Sequence, residues 1–192
     1  MIKTLDHWQF ENGWLMRARR VVSPNCNARP PGCVPDLIVL HGISLPPGEY
    51  GGGYIEALFT NTLDAGAHPY FATIAELEVS AHFLISRGGE LVQFVPTDQR
   101  AWHAGLSCWR GREQCNDFSI GIELEGCDDQ AYADEQYDAL TDLLAALKRQ
   151  YPTIGGDAIV GHSDIAPGRK TDPGPAFDWS RLSRMRDEYG DA

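Results

Sequence analysis

The sequence has no long hydrophobic run. No apolar stretch among its 192 residues approaches the roughly 20 needed to cross a bilayer, so no membrane-spanning segment is expected. The opening MIKTLDHWQFENGW is polar throughout and lacks the charged, apolar and small-residue succession of an export signal, which points to a cytoplasmic protein. Basic excess is missing as well. A formal net charge of -11 argues against a nucleic-acid or anionic-membrane surface, because both want a basic face. A substrate carrying carboxylates would need locally placed arginines. Cysteine is sparse: Cys26, Cys33, Cys108, Cys115 and Cys127 are odd in number and form no Cys-x-x-Cys pair. They indicate neither a disulfide framework nor a zinc ribbon and read as free thiols. Internal repeats, linkers and low-complexity tracts are absent too.

What is present is an ordinary globular composition, 43% hydrophobic and 22% charged, at a length that suits one domain with a continuous core. The chain is organised around Gly161 to Gly174, GHSDIAPGRKTDPG. This stretch is too polar for a core and, with Pro167 and Pro173, too stiff for a linker. It follows the short apolar run Asp157-Ala158-Ile159-Val160, so His162 is expected at the end of a buried strand with a loop beyond it. His162 and Asp172 suit a metal, most naturally zinc, which takes imidazole and carboxylate ligands. On this segment alone, a core histidine and a turn-forming aspartate ahead of Pro173 serve equally well.

A second strand tips the balance. Asp36-Leu37-Ile38-Val39-Leu40-His41 is an apolar run of the kind buried on both faces, and it too ends in an imidazole beside a turn-rich loop, Pro46-Pro47-Gly48. Two strand-end histidines and one loop carboxylate form a His, His, Asp set, which leaves a fourth tetrahedral position for water or substrate. Phe118 to Gly126, FSIGIELEG, alternates Phe118, Ile120, Ile122 and Leu124 against Ser119, Gly121, Glu123 and Glu125. The two carboxylates require a polar cleft, a cation or solvent on their side; a plain solvent-facing sheet surface stays open.

The remaining elements read more simply. Trp14 to Val22, with three arginines, suits a charge-protected edge strand. Gly51-Gly52-Gly53 lacks the Lys-Ser/Thr of a phosphate loop and leads into a short helix, Tyr54 to Thr60. Ser80 to Ser86 and Glu90 to Val95 form a hairpin across Arg87-Gly88-Gly89. His82 falls inside that strand and reads as a hydrogen-bonded core residue or a partner behind a ligand. His103 looks exposed in a loop of small neighbours. Ala133 to Tyr151 is the clearest helix, with Asp134 as N-cap and Pro152 as stop. A last helix runs from about Asp178 to Tyr189. The fold class is α+β: a mixed central β-sheet flanked by helices.

Several motifs also carry a family signature. VLHGISLPPGEYGG, HPYF, VSAHFLI, AWHAG, NDFSIGIELEG and GHSDIAPGRKTDPGPAFDW, in this order over roughly Trp14 to Trp179, resemble the zinc N-acetylmuramoyl-L-alanine amidase and peptidoglycan recognition protein family. The resemblance implies one zinc amidase domain over residues 1–192, with one zinc ion per chain held by His41, His162 and Asp172. Glu123 would act on the attacking water, Lys170 would lie near the developing oxyanion, and Tyr70 would stand at the edge of the site. Trp102, His103 and Ala104 would line the substrate groove. The implied substrate is a small muropeptide, cut between the lactyl group of anhydro-N-acetylmuramic acid and L-alanine in cytosolic peptidoglycan recycling, by a monomer with no nucleic-acid or membrane partner. In some hosts, losing such an activity would derepress a β-lactamase. The chain departs from the family in three ways. Gly42 stands where Asn is frequent in the substrate site, and Gly168 stands where Glu is common. Glu78 and Gln114 stand near positions where some relatives carry arginine, which leaves Arg110 or Arg112 to hold stem-peptide carboxylates.

Overall fold

Leu37, Ile38, Val39 and Leu40 are completely buried, as four consecutive apolar residues must be in a strand covered on both faces. In the computed structural model, which describes residues 8–182, this strand lies near one edge of a six-stranded sheet. In chain order the strands are β1 (Arg19–Arg20), β2 (Leu37–Ile43), β3 (Phe83–Ile85), β4 (Leu91–Gln93), β5 (Ser119–Glu125) and β6 (Ile159–Gly161). Their spatial order is β6-β2-β5-β3-β4-β1. The first four in that order are mutually parallel, β3 and β4 form the antiparallel hairpin, and β1 runs parallel to β4.

Register decides what the sheet presents. His41 pairs with Glu123 across β2 and β5, and Gly161 pairs with Leu40 across β6 and β2, so His162 leaves β6 level with His41. Three adjacent parallel strands thus deliver His162, His41 and Glu123 side by side at their carboxyl ends, where open sheets of this kind bind ligands.

The α2 helix (Asp134–Gln150) covers one face with Tyr137, Leu140, Leu143, Leu144 and Leu147, packed in one core cluster with Phe83, Ile120, Ile122 and Leu124. The α1 helix (Tyr54–Phe59) and a 3-10 turn at Phe71–Thr73 cover the other, packing Ile55, Leu58, Phe59 and Phe71 with Leu84, Val92 and Phe94. The polar side of β5 therefore does not face open solvent: Ser119, Glu123 and Glu125 are all buried, and Glu125 accepts the backbone N–H groups of Gly51 and Arg87.

Three local expectations are corrected. The N-cap of α2 is Ala133 and not Asp134; Gln136 closes the first turn by accepting the Ala133 N–H at 3.0 Å. The edge strand expected over Trp14 to Val22 breaks into Trp14–Leu15, which pairs with Phe10–Glu11, and β1, where Arg19 is held by Glu56 and Glu90. The stretch after β6 opens with a short helix, α3 (His162–Ile165), before becoming loop. The expected last helix begins at residue 179, and its continuation beyond residue 182 lies outside the described residues.

Gln136 also donates from Nε2 to the carbonyls of Ile85 and Glu125, which ties the start of α2 to the ends of β3 and β5. Its side chain is wholly buried. Gln136→Ala strands one donor and two acceptors, so chemical denaturation should show a loss of about 2–4 kcal/mol in unfolding free energy. A loss within 0.5 kcal/mol, the range of an ordinary surface change of roughly that size, would contradict this role.

Candidate metal centre

Nδ1 of His41 lies 2.9 Å from Nδ1 of His162, and each stands close to Oδ2 of Asp172, at 3.2 Å and 3.1 Å. The two histidines are 2% and 3% exposed. Asp172 reaches them from the loop after α3, whose backbone is returned to the first turn of α3 by the Ser163 N–H donating to the Asp172 carbonyl.

The outward ring nitrogens determine what the inward ones offer. His162 Nε2 faces the Ala104 carbonyl oxygen at 3.1 Å, an acceptor, so the ring proton belongs there and Nδ1 turns a lone pair inward. His41 Nε2 faces His103 Nδ1 at 2.9 Å, and His103 Nε2 faces the Ser119 hydroxyl at 3.2 Å. Donation from His41 to His103 and from His103 to Ser119 leaves His41 Nδ1 bare as well. Burial pushes the His41 imidazole down to about 4, so it is neutral at pH 7. Burial works to raise Asp172, but its contacts with His162 and His41 outweigh this and hold it well below the usual carboxylate range.

Three acceptors thus converge in one buried corner. A tetrahedral ion with ligands near 2.0–2.1 Å places its ligand atoms about 3.3 Å apart, close to the spacing found here. Among the described residues this is the one group of at least three His, Cys, Asp or Glu side chains whose ligand atoms lie close enough to hold a metal ion. The five cysteines are free thiols and none belongs to it.

The cluster lies in the wall of a groove of about 660 Å³, along with Glu123, Tyr70, Trp102 and Lys170. Burial raises the Glu123 carboxyl well above its ordinary value; Asp172 adds to the rise and Lys170 opposes it. Gly42 lines the groove through its backbone, and a Cβ there would collide with the hydroxyl of Tyr132, which donates to the Pro173 carbonyl. The Tyr132 hydroxyl therefore fills the space into which a side chain at residue 42 would point.

The remaining expected site residues divide. His103 lines the groove as expected, but it is partly buried there and touches His41, so its exposed look in the sequence is corrected. Ala104 is fully buried and contributes its carbonyl to His162. Arg112 is turned away: it donates to Asp36 at 2.6 Å and stacks 3.6 Å over Phe118, while Arg110 pairs with Asp157 at 2.6 Å. Neither lines the groove, whose arginine and lysine are Arg169 and Lys170. His82 is a hydrogen-bonded core residue, accepting the Gly121 N–H and facing the Gln99 carbonyl. Asn116 and Ser119, which hold the 103–104 segment from behind, carried no distinguishing signal in the sequence.

Comparison with known proteins places the chain among amidases. The profile of the N-acetylmuramoyl-L-alanine amidase family matches residues 30–175. The 1,6-anhydro-N-acetylmuramyl-L-alanine amidase AmpD of Escherichia coli is 62% identical over 173 residues, covering 90% of this chain and 94% of the relative. A crystal structure of selenomethionine-substituted AmpD superposes with a TM-score of 0.89 at 59% identity, covering 92% of this chain and 98% of that one. The E. coli amidase AmiD, solved with anhydro-N-acetylmuramic acid-L-Ala-D-γ-Glu-L-Lys, superposes at 0.59 with 27% identity, covering 92% of this chain and 65% of its own. With the family profile matched over residues 30–175 and relatives at about 60% identity over most of its length, this chain belongs to the N-acetylmuramoyl-L-alanine amidase family.

Proposed function

We propose that this chain hydrolyses the amide bond between 1,6-anhydro-N-acetylmuramic acid and the L-alanine of a stem peptide, as a single zinc amidase domain acting on small soluble muropeptides in cytoplasmic peptidoglycan recycling. The observation that carries the reading is the convergence of His41 Nδ1, His162 Nδ1 and Asp172 Oδ2 at the groove wall, with Glu123 on the neighbouring strand. The high identity to AmpD proteins over nearly full length supports the anhydro-sugar substrate. No helix among the described residues is long and apolar enough to cross a membrane.

His41, His162 and Asp172 would hold one zinc ion. Zinc bound there supplies a Lewis acid and a water acidic enough to lose a proton near neutral pH. Glu123 is the proton carrier in this reading: its burial makes the carboxylate a stronger base toward the water proton, which it then returns to the leaving nitrogen. That return matters, because an alanine amide nitrogen cannot depart as an anion. Lys170 brings a positive charge to the same region, suited to the negative oxygen that develops as the carbonyl becomes tetrahedral. Tyr70 and Trp102 give the groove aromatic walls against which a bicyclic anhydro-sugar can pack. Products are the free lactyl carboxylate and the peptide with a new amino terminus.

The test is turnover of purified anhydromuramoyl-tripeptide beside intact peptidoglycan sacculi. Zinc-loaded protein should release the peptide and leave sacculi intact, lose activity on chelation and regain it with zinc; cleavage of sacculi instead would make the chain a wall lysin. Glu123→Gln should lower kcat by about 10²–10⁴-fold with zinc content unchanged. Lys170→Met should lower kcat by about 10²–10³-fold and leave KM near its starting value. Unchanged kcat in either variant would remove that residue from the chemistry.

A further inference from the structure

Trp102 and His103 line the groove and Ala104 is buried behind it, yet the polar atoms of His103 and Ala104 are spent behind the metal centre. His103 Nδ1 meets the back of His41 at 2.9 Å, and one residue later the Ala104 carbonyl meets the back of His162 at 3.1 Å. Two consecutive residues therefore engage the outward nitrogens of both histidines. The segment is itself fixed: a single oxygen, Oδ1 of Asn116, accepts the N–H groups of His103 at 3.1 Å and Ala104 at 2.8 Å. Trp102 is paired to Ser80 through both its N–H and its carbonyl. Arg169 donates to the same Ala104 oxygen at 2.6 Å and to Leu106 at 2.7 Å, which secures the far end. Beneath His103 the sheet is opened by Gly121, where a Cβ would stand 2.5 Å from the imidazole ring.

We infer that His103 and the Ala104 carbonyl, locked by Asn116, form a clamp that sets the tautomer and angle of both histidine ligands, and that His103 is a positioning residue for the metal and not a substrate contact. The inference rests on the reading of His41, His162 and Asp172 as the zinc ligands. Partners of this kind behind a ligand fix which ring nitrogen carries the proton and strengthen the other as a donor. The arrangement differs from the common one in using a second imidazole, backed by the fully buried Ser119 hydroxyl, where a carboxylate usually stands. A carboxylate there would add charge to a site that already contains Asp172 and Glu123; a neutral relay does not.

The discriminating measurement is zinc affinity, by competition with a chromophoric chelator, alongside kcat and KM at saturating zinc. His103→Phe keeps the ring and removes both nitrogens, and should weaken zinc binding by about 10–100-fold. His103→Asn places an amide oxygen near the position of Nδ1 and should recover most of that loss. Asn116→Ala, at a residue that does not line the groove, should weaken zinc in the same direction with KM unchanged once zinc is saturating. Thermal melting of the zinc-free proteins checks that each is folded; if His103→Phe is not, Asn116→Ala and His103→Asn carry the comparison. Wild-type zinc affinity in all variants, with KM raised only at position 103, would overturn the clamp and make His103 a substrate contact. Absence of zinc binding by the wild type would instead defeat the metal reading itself.

Discussion

Two imidazole nitrogens and a carboxylate oxygen stand within 2.9–3.2 Å of one another in the wall of the groove, and their mutual repulsion is the constraint the site is built around. One shared proton can relieve one of these approaches at a time; a divalent cation relieves all three. The protein tolerates the arrangement because none of the three groups can retreat. His41 and His162 are carried by neighbouring parallel strands whose register leaves no freedom along the strand direction. Asp172 is returned to the same level by a hydrogen bond to the first turn of α3. The site is thus preformed by backbone pairing, which spares a bound ion the cost of assembling its own ligands.

The same sheet explains why Glu123 differs from Glu125. Both project from β5 to the α1 side, two residues apart, and both are buried. Glu125 receives two backbone N–H groups and so acts as a structural anchor for the Gly51 and Arg87 loops. Glu123 faces the groove with Asp172 and Lys170 as its charged neighbours, which leaves it responsive to protons. Identical residue types on one face of one strand acquire different chemistry from what the loops bring to them.

Much of this was legible in the sequence because it follows from local rules. An apolar run that ends in histidine marks a buried strand with an imidazole delivered at its tip, and it occurs twice, at His41 and His162. The alternation through FSIGIELEG correctly assigned Glu123 and Glu125 to one face. What was illegible depends on distant partners. Arg112 was a candidate for binding peptide carboxylates until Asp36, 76 residues away, claimed its guanidinium. The exposed look of His103 came from its small neighbours, but its position is set by the absence of a side chain at Gly121 on another element. The N-cap of α2 moved to Ala133 because Gln136 answers three backbone groups at once, an economy visible only when β3 and β5 end beside it.

X-ray absorption at the zinc edge of the zinc-loaded protein tests the central claim most directly, because it reports the ligand atoms without reference to activity. The account predicts a four-coordinate ion with two imidazole nitrogens at about 2.0–2.1 Å, one carboxylate oxygen and one further light atom. A sulfur shell near 2.3 Å, drawn from any of the five free cysteines, or a shell without imidazole scattering, would contradict it.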